Sequence, residues 1–313
     1  MSFTKKMNGK VAVYHVKKIL TDEKTDSIAN THIKPSQIKL IIKDDADVYT
    51  EEDGKLLLRF RKNILPKEHV DLFYDNVIKF AKHTTTNRGN ASGSKTKSVW
   101  TNPKIMTNIF GYFDRWSPMH KYMFTKKRAK TPLEVRECRF NANYPEEYKK
   151  TLPLIQDIDR FYKQLAPEYY QRQHKKANQT HFKISNTSFT TVTTNVNYQT
   201  TIHKDAGDDI EGFGNLAVIE QGEYTGAETC FPQYGIGVDV RTNDLLFMDV
   251  HKWHANLPIH LKSPDAIRLS VVCYLRKKVW ERTRGKPKSF LVKHNKTVKK
   301  LMQGSKPVKG NIE

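Results

Sequence analysis

The stretch "LLFMDVHKWHANLP", Leu245 to Pro258, opens with four consecutive apolar residues and then places two histidines, His251 and His254, three positions apart. A short apolar run with a polar turn ("RTND") before it reads as a buried strand. Residues three apart on a regular strand face opposite sides, so such a strand cannot easily offer both imidazoles to one metal ion. His251 would share a face with Asp249 and Trp253, and His254 with Val250 and Lys252. Parity alone does not say which face is inward.

The neighbours of this stretch set the fold class. Upstream lie "TSFTTVTTNVNYQTTIHKD" from Thr187, then "NLAVIE", "AETCFP" and "GIGVDV"; downstream lies "RLSVVCYL". They are rich in Thr, Val and Tyr, as strands are, and the turn-like pieces "QGEYTG" and "QYG" separate them. Short strands at regular spacing predict a β-sandwich or jelly roll.

Two helices precede these strands. "LPKEHVDLFYDNVIKFAKH" (Leu65 to His83) puts Val70, Phe73, Val77 and Phe80 on one stripe. In the stretch Pro145 to Gln173, Leu154, Ile155, Ile158, Phe161, Tyr162 and Leu165 form a second stripe, with Pro153 expected at the helix start and Pro167 at a break. These stripes are core packing. The expected fold class is α+β, a double-stranded β-helix core buttressed by N-terminal helices. Residues 1–60 read as an N-terminal extension with short strands ("VAVYHV", "IKLIIK", "GKLLLRF"), 61–278 as the main domain and 279–313 as a basic C-terminal tail. In that tail Glu281 and Glu313 are the only acidic residues, while Trp280, Phe290 and Leu291 suggest that part of it packs. Between the helices, "TTTNRGNASGSKTKS" (Thr84 to Ser98) is a loop by composition, and its Arg88, Lys95 and Lys97 are candidates for phosphate or cosubstrate contact.

Lysine and arginine total 54 against 33 acidic residues, a net charge of +21 over 313 residues. Such a field attracts polyanions, so a nucleic acid is the expected partner. Apolar residues at 37% exclude a disordered chain. The three cysteines (Cys138, Cys230, Cys273) form no CxxC pair, which argues against a zinc–cysteine site and suits a reducing compartment. No apolar run approaches the ~18 residues of a membrane span, and the N-terminus lacks a secretory pattern. A soluble, intracellular protein with no membrane partner is expected.

The candidate chemistry sits in the strand-rich half. His203 and Asp205 form a His-x-Asp, which on a strand points both ligands to one face. A second histidine, His251 or His254, would complete a two-histidine, one-carboxylate set of the kind that holds non-haem Fe(II) and leaves positions open. Arg268 and Ser270 are also two apart. An arginine fork with a neighbouring hydroxyl matches a carboxylate, and suits the distal carboxylate of 2-oxoglutarate.

With those residues in place, the run "FTTVTTNVNY…HKDAGD…GVDV…NDLLFMDVHKWHAN" resembles the JBP/TET group of 2-oxoglutarate- and Fe(II)-dependent dioxygenases, which oxidise the 5-methyl group of thymine or 5-methylcytosine in nucleic acid. The likeness is dense from Phe189 to Leu275 and thinner over Thr84 to Asp114, where "TNRGNASG" and "IFGYFDR" resemble family stretches. The family pattern of His-x-Asp, a later H-x-x-x-P histidine and an Arg-x-Ser carries over to His203, Asp205, His254 in "HANLP", Arg268 and Ser270. The step of fourteen residues from His254 to Arg268 is close to the family's. The resemblance therefore selects His254 over His251. It implies Fe(II) on His203, Asp205 and His254, 2-oxoglutarate held by Arg268 and Ser270, and O2 as oxidant. It suggests Arg88 and Thr229 as further cosubstrate contacts. The implied substrate is a pyrimidine base in DNA, flipped from the duplex, with Tyr112, Phe113, Trp116, Tyr198 and Tyr234 as stacking candidates, and the implied place of action is the nucleus or a site of DNA replication. Asp208, Asp209 and Glu211 read as turn formers rather than ligands. The alternatives are a protein-side-chain or small-molecule hydroxylase of the same superfamily, and a catalytically degenerate basic nucleic-acid-binding protein.

Overall fold

The computed structural model describes residues 3–83, 91, 106–114 and 135–303, the last seven of these by backbone alone. The loop residues Arg88, Lys95 and Lys97, the aromatic Trp116 and the end of the basic tail lie outside the described residues.

Before the first long helix come β1 (Phe3–Asn8), β2 (Val11–Val16), β3 (Leu40–Ile42), β4 (Ala46–Thr50) and β5 (Leu56–Arg61). Next come β6 (Lys82–His83), β7 (Met106–Phe113), β8 (Arg136–Glu137) and β9 (Thr191–Val196). The strand-rich half continues with β10 (Gly214–Gln221), β11 (Tyr224–Gly226), β12 (Thr229–Phe231), β13 (Ile236–Val238), β14 (Leu245–Met248), β15 (Ala255–Asn256), β16 (Ile259–Leu261) and β17 (Ile267–Tyr274). The helices are α1 (Asp22–Ser27), α2 (Lys67–Val77), α3 (Arg139–Asn143), α4 (Pro145–Leu165), α5 (Pro167–Ala177), α6 (Lys277–Thr283) and α7 (Lys288–Gln303).

The main sheet runs β1-β2-β4-β5-β14-β10-β17-β9-β7-β6, with β8 added beside β7. A smaller sheet, β15-β12-β13-β3, faces it, and β11 pairs with β16. Successive residues of a strand point to opposite faces, and here both faces of the main sheet are covered. Ala217 and Ile219 of β10, Leu245 and Phe247 of β14, and Leu269, Val271 and Cys273 of β17 join a core with Val70, Phe73 and Val77 of α2 and Leu154, Ile155, Ile158 and Tyr162 of α4. Their alternates Leu216, Val218, Leu246 and Met248 pack instead on Phe231, Ile236 and Val238 of the smaller sheet. Double coverage explains why "LLFM" is apolar at every position. The architecture is the expected α+β one, a jelly-roll core with helices on its outer face.

Three local expectations need correction. The helix of residues 145–165 starts at Pro145, and Pro153 lies inside it. Proline removes one N–H, so the Lys149 carbonyl loses its partner; Lys149 is exposed, where water can take that bond, and the buried stripe on either side holds the helix together. Second, strands do not wait for the helices: β2, β4 and β5 enter the same sheet as the later strands, β5 pairing directly with β14. Third, "LLFMDVHKWH" is not one strand. It breaks at a turn where Lys252 N–H donates to the Asp249 carbonyl at 3.2 Å, so β14 ends at Met248 and β15 begins at Ala255.

Candidate active site

The turn at residues 249–252 brings the second histidine onto the first. His203 and His254 form an isolated antiparallel bridge in which each N–H donates to the other's carbonyl at 3.0 Å. Asp205 N–H donates to the Val250 carbonyl at 2.9 Å, so both ends of the 203–205 segment are tied to the 250–254 segment. His203 and Asp205 therefore sit in a bridge and turn rather than in a regular strand.

The side chains follow from that backbone. The imidazole centroids are 4.3 Å apart. His203 Nδ1 lies 2.6 Å from the Thr201 carbonyl and His254 Nδ1 lies 2.9 Å from the Lys252 carbonyl. A carbonyl only accepts, so each Nδ1 carries a proton, and in the neutral ring Nε2 is the nitrogen that keeps a lone pair for a metal. Both Nε2 atoms face Asp205, at 3.7 Å for His203 and 3.6 Å for His254. The donor atoms of the three residues all fall within 4.8 Å of one another. Two lone-pair nitrogens and a carboxylate around one point, with ring tautomers set by backbone acceptors, fit a divalent metal that accepts imidazole and carboxylate together, as Fe(II) does. Burial pushes the His254 imidazole pKa down, but the Asp205 carboxylate beside it outweighs burial and the net shift is upward. The histidines are buried, whereas the Asp205 side chain is 38% exposed, so the cluster opens to solvent on the carboxylate side.

His251 is not part of this cluster. Its Nε2 lies 3.2 Å from the Asp209 carbonyl, and its backbone N–H donates to the Asp249 carboxylate two residues earlier at 3.0 Å.

Arg268 and Ser270 lie on β17, which is regular, so parity applies. Leu269, Val271 and Cys273 face the helices, and Arg268 and Ser270 therefore face the smaller sheet. Arg268 is 3% exposed and its Nε has no hydrogen-bond partner among the described residues. The carboxylate across the ladder, Glu220, pairs with Arg241 at 3.1 Å instead. Burial lowers the Arg268 pKa, as it must for a cation held out of water. A buried guanidinium with a spare donor is the feature that a dicarboxylate cosubstrate would satisfy. The Ser270 hydroxyl lies 3.4 Å from the Asn195 carbonyl, a long bond that a better acceptor could replace. Thr229 shares a strand face with Phe231, which packs toward the main sheet, and its hydroxyl accepts from Asn256 at 3.3 Å.

Other residues support the site that no motif in the sequence marks. Arg276, just after β17, is ion-paired through Nε with Asp114 and its guanidinium lies 4.3 Å from the Phe113 ring centroid. It covers the turn after Asp205: Lys277 N–H donates to the Gly207 carbonyl at 3.0 Å, and a Cβ on Gly207 would meet Arg276 Nη1 at 2.5 Å. Lys204, between the two ligand candidates, places its ammonium 4.6 Å from the Trp253 ring beside His254. Asp209 and Glu211 shape the turn, as expected, through Lys176 at 2.5 Å each. Among the stacking candidates, Tyr112 and Tyr234 are core residues, Phe113 lies under Arg276, and the Tyr198 hydroxyl donates to the Ala91 carbonyl at 2.6 Å.

This geometry agrees with what the chain is similar to. A family profile described as Tet_JBP, "Oxygenase domain of the 2OGFeDO superfamily", matches residues 120–277. A thymine dioxygenase JBP1 of Trypanosoma brucei brucei is 30% identical over 173 residues, covering 54% of this chain and 19% of that protein. A bifunctional helicase and thymine dioxygenase JBP2 of Trypanosoma cruzi is 32% identical over 177 residues, covering 56% and 15%. A thymine dioxygenase JBP1 of Crithidia fasciculata is 26% identical over 249 residues, covering 79% and 27%. The matched stretch is thus about a quarter or less of these relatives' length. A solved structure described as NgTET1 in complex with 5mC DNA superposes with a TM-score of 0.51 at 15% identity, covering 82% of this chain and 90% of that one, which is a likeness of fold. With the profile spanning half of the sequence, the chain belongs to the Tet/JBP family of oxygenase domains in the 2-oxoglutarate/Fe(II) dioxygenase superfamily.

Proposed function

We propose that this chain is a 2-oxoglutarate- and Fe(II)-dependent dioxygenase that hydroxylates the 5-methyl group of a pyrimidine base, thymine or 5-methylcytosine, in DNA. One observation carries the reading: two buried imidazoles turn their Nε2 atoms to the Asp205 carboxylate, in a jelly roll that also holds the buried Arg268, whose Nε has no partner among the described residues. The relatives' names support the substrate class, and the net charge of +21 supports a polyanionic partner. We take residues 61–278 as the catalytic unit, with residues 1–60 as an extension that adds strands and 279–313 as a basic tail.

His203, Asp205 and His254 would hold Fe(II), and Arg268 with Ser270 would hold the distal carboxylate of 2-oxoglutarate; Thr229 and Arg88 are further candidate contacts. Bound together, metal, 2-oxoglutarate and O2 supply the oxidising power that turns a methyl C–H into C–OH, with release of succinate and CO2. The chain's own part is positional. Carbonyls of Thr201 and Lys252 hold the imidazole protons on Nδ1, the histidines are shielded from water, and the open carboxylate side of the cluster is the approach for a methyl group. A methyl stacked inside a duplex cannot reach it, so the base is flipped out. Action at nuclear DNA or at a replication site follows from that substrate.

The test is incubation of the protein with Fe(II), 2-oxoglutarate and DNA containing thymine or 5-methylcytosine, digestion to nucleosides and mass spectrometry. A hydroxymethylated base with stoichiometric succinate is expected. Succinate formed only on another substrate would overturn the DNA-base reading.

A further inference from the structure

The basic run after β17 has a definite place in the fold. Between Lys277 and Lys296 the sequence carries eight lysines and arginines and one acidic residue, Glu281. Lys277 N–H donates to the Gly207 carbonyl at 3.0 Å, so the run starts at the turn that follows Asp205, the residue through which the metal-ligand cluster opens to solvent. The apolar sides of α6 and α7 then fix both helices to the domain. Val279 of α6 is buried with Tyr112, Val135 and Phe182, and Phe290 and Leu291 of α7 pack against the same cluster. His294 is buried one turn further on, with Nε2 2.7 Å from the Val135 carbonyl. With that side of α7 inward, Lys288, Lys293 and Lys296 are exposed on the other, and Lys278, Arg284 and Lys286 are exposed before them.

This surface is unfavourable to the chain by itself. Lys286 and Lys288 crowd the start of α7, whose first turn has no acidic residue, and the helix macrodipole disfavours cations there. Lys293 and Lys296 are three apart on one helix, where like charges repel. Glu281 pairs with Lys277 at 3.8 Å, on α6. A face that serves only solubility intersperses both signs, and this one does not. An external polyanion relieves the repulsion. The 16 residues of α7 extend about 24 Å, the length of about seven phosphates along one DNA strand.

We infer that the exposed face of α6 and α7 is a docking surface for the phosphate backbone of duplex DNA, beside the cluster of His203, Asp205 and His254. This rests on the DNA reading of the site and adds to it the surface that positions the duplex. Lysines on phosphates carry no base information, so the face supplies affinity and orientation while the cluster acts on the base.

The experiment is fluorescence anisotropy of the full chain on a short labelled duplex over a series of salt concentrations. One variant combines Lys278→Gln, Lys288→Gln and Lys296→Gln. A control variant combines Lys6→Gln, Lys10→Gln and Lys163→Gln, losing the same three charges on the β1–β2 hairpin and α4. All six side chains are exposed. Expected for the first variant is binding weaker by about tenfold or more at about 0.1 M salt, with a salt slope less negative by about two to three units. The control should stay close to wild type, and arginine at the same three positions of the first variant should restore binding. Wild-type affinity in the first variant, or an equal loss in the two glutamine variants, would overturn the inference while leaving the proposed activity standing. Loss of binding to phosphatidylserine vesicles with duplex binding intact would assign the face to a lipid surface instead. Absence of any duplex binding by the wild-type chain would overturn the DNA reading, and this inference with it.

Discussion

His251 and His254 are three residues apart, yet their surroundings give them unrelated tasks. His254 Nε2 faces Asp205 at 3.6 Å, whereas His251 Nε2 meets a backbone carbonyl at 3.2 Å. Replacing His254 with alanine is expected to abolish 2-oxoglutarate turnover and to remove stoichiometric iron binding, measured by metal analysis of the purified protein. His251→Ala should retain bound iron. Full activity in His254→Ala with loss in His251→Ala would reverse the assignment. Strand parity did not decide between the two, because it presumes a strand and a turn intervenes at Asp249–Lys252; the family resemblance chose His254. Arg268 and Ser270 were readable by parity because β17 is regular throughout.

At the scale of elements, the acidic turn after the metal-ligand candidates is pinned to α5. Lys176 reaches Asp209 and Glu211 at 2.5 Å each, and its ammonium lies 5.2 Å from the Trp280 ring of α6. The hydrogen bond and charge of Lys176 hold the Glu211 carboxyl below its ordinary value of 4.5. A carboxyl whose folded pKa is depressed stabilises the fold above its unfolded pKa, and that stabilisation is lost as pH falls through the folded value. Lys176→Met should therefore lower the urea midpoint at neutral pH, and the gap from wild type should narrow as pH drops through the glutamate range. A gap that is constant with pH would show that Lys176 acts through packing alone. The helix stripes were legible because their period is local, as α2 shows: Val70, Phe73 and Val77 are all buried. The run of α4 through Pro153 was not, because the burial that outweighs one lost hydrogen bond comes from β10, β14 and β17, remote in sequence.

For the whole molecule, the net charge of +21 predicts that DNA affinity depends steeply on salt. Each phosphate neutralised adds about −0.9 to the slope of log affinity against log salt. Fluorescence anisotropy on a short duplex should give a slope several units below zero; a slope near zero would remove nucleic acid as the partner. Charge, the two helical stripes, the sequence of short strands, and the His-x-Asp and Arg-x-Ser pairs were all determined by the sequence itself, since each depends on composition or on spacing within one element. The tertiary structure alone decided that β1, β2, β4 and β5 join the main sheet, that a turn at residues 249–252 carries the second histidine onto His203, and that Arg268 is buried with its Nε unpaired among the described residues. Those outcomes depend on hydrogen bonds and burial between segments tens to hundreds of residues apart, where no local periodicity carries information.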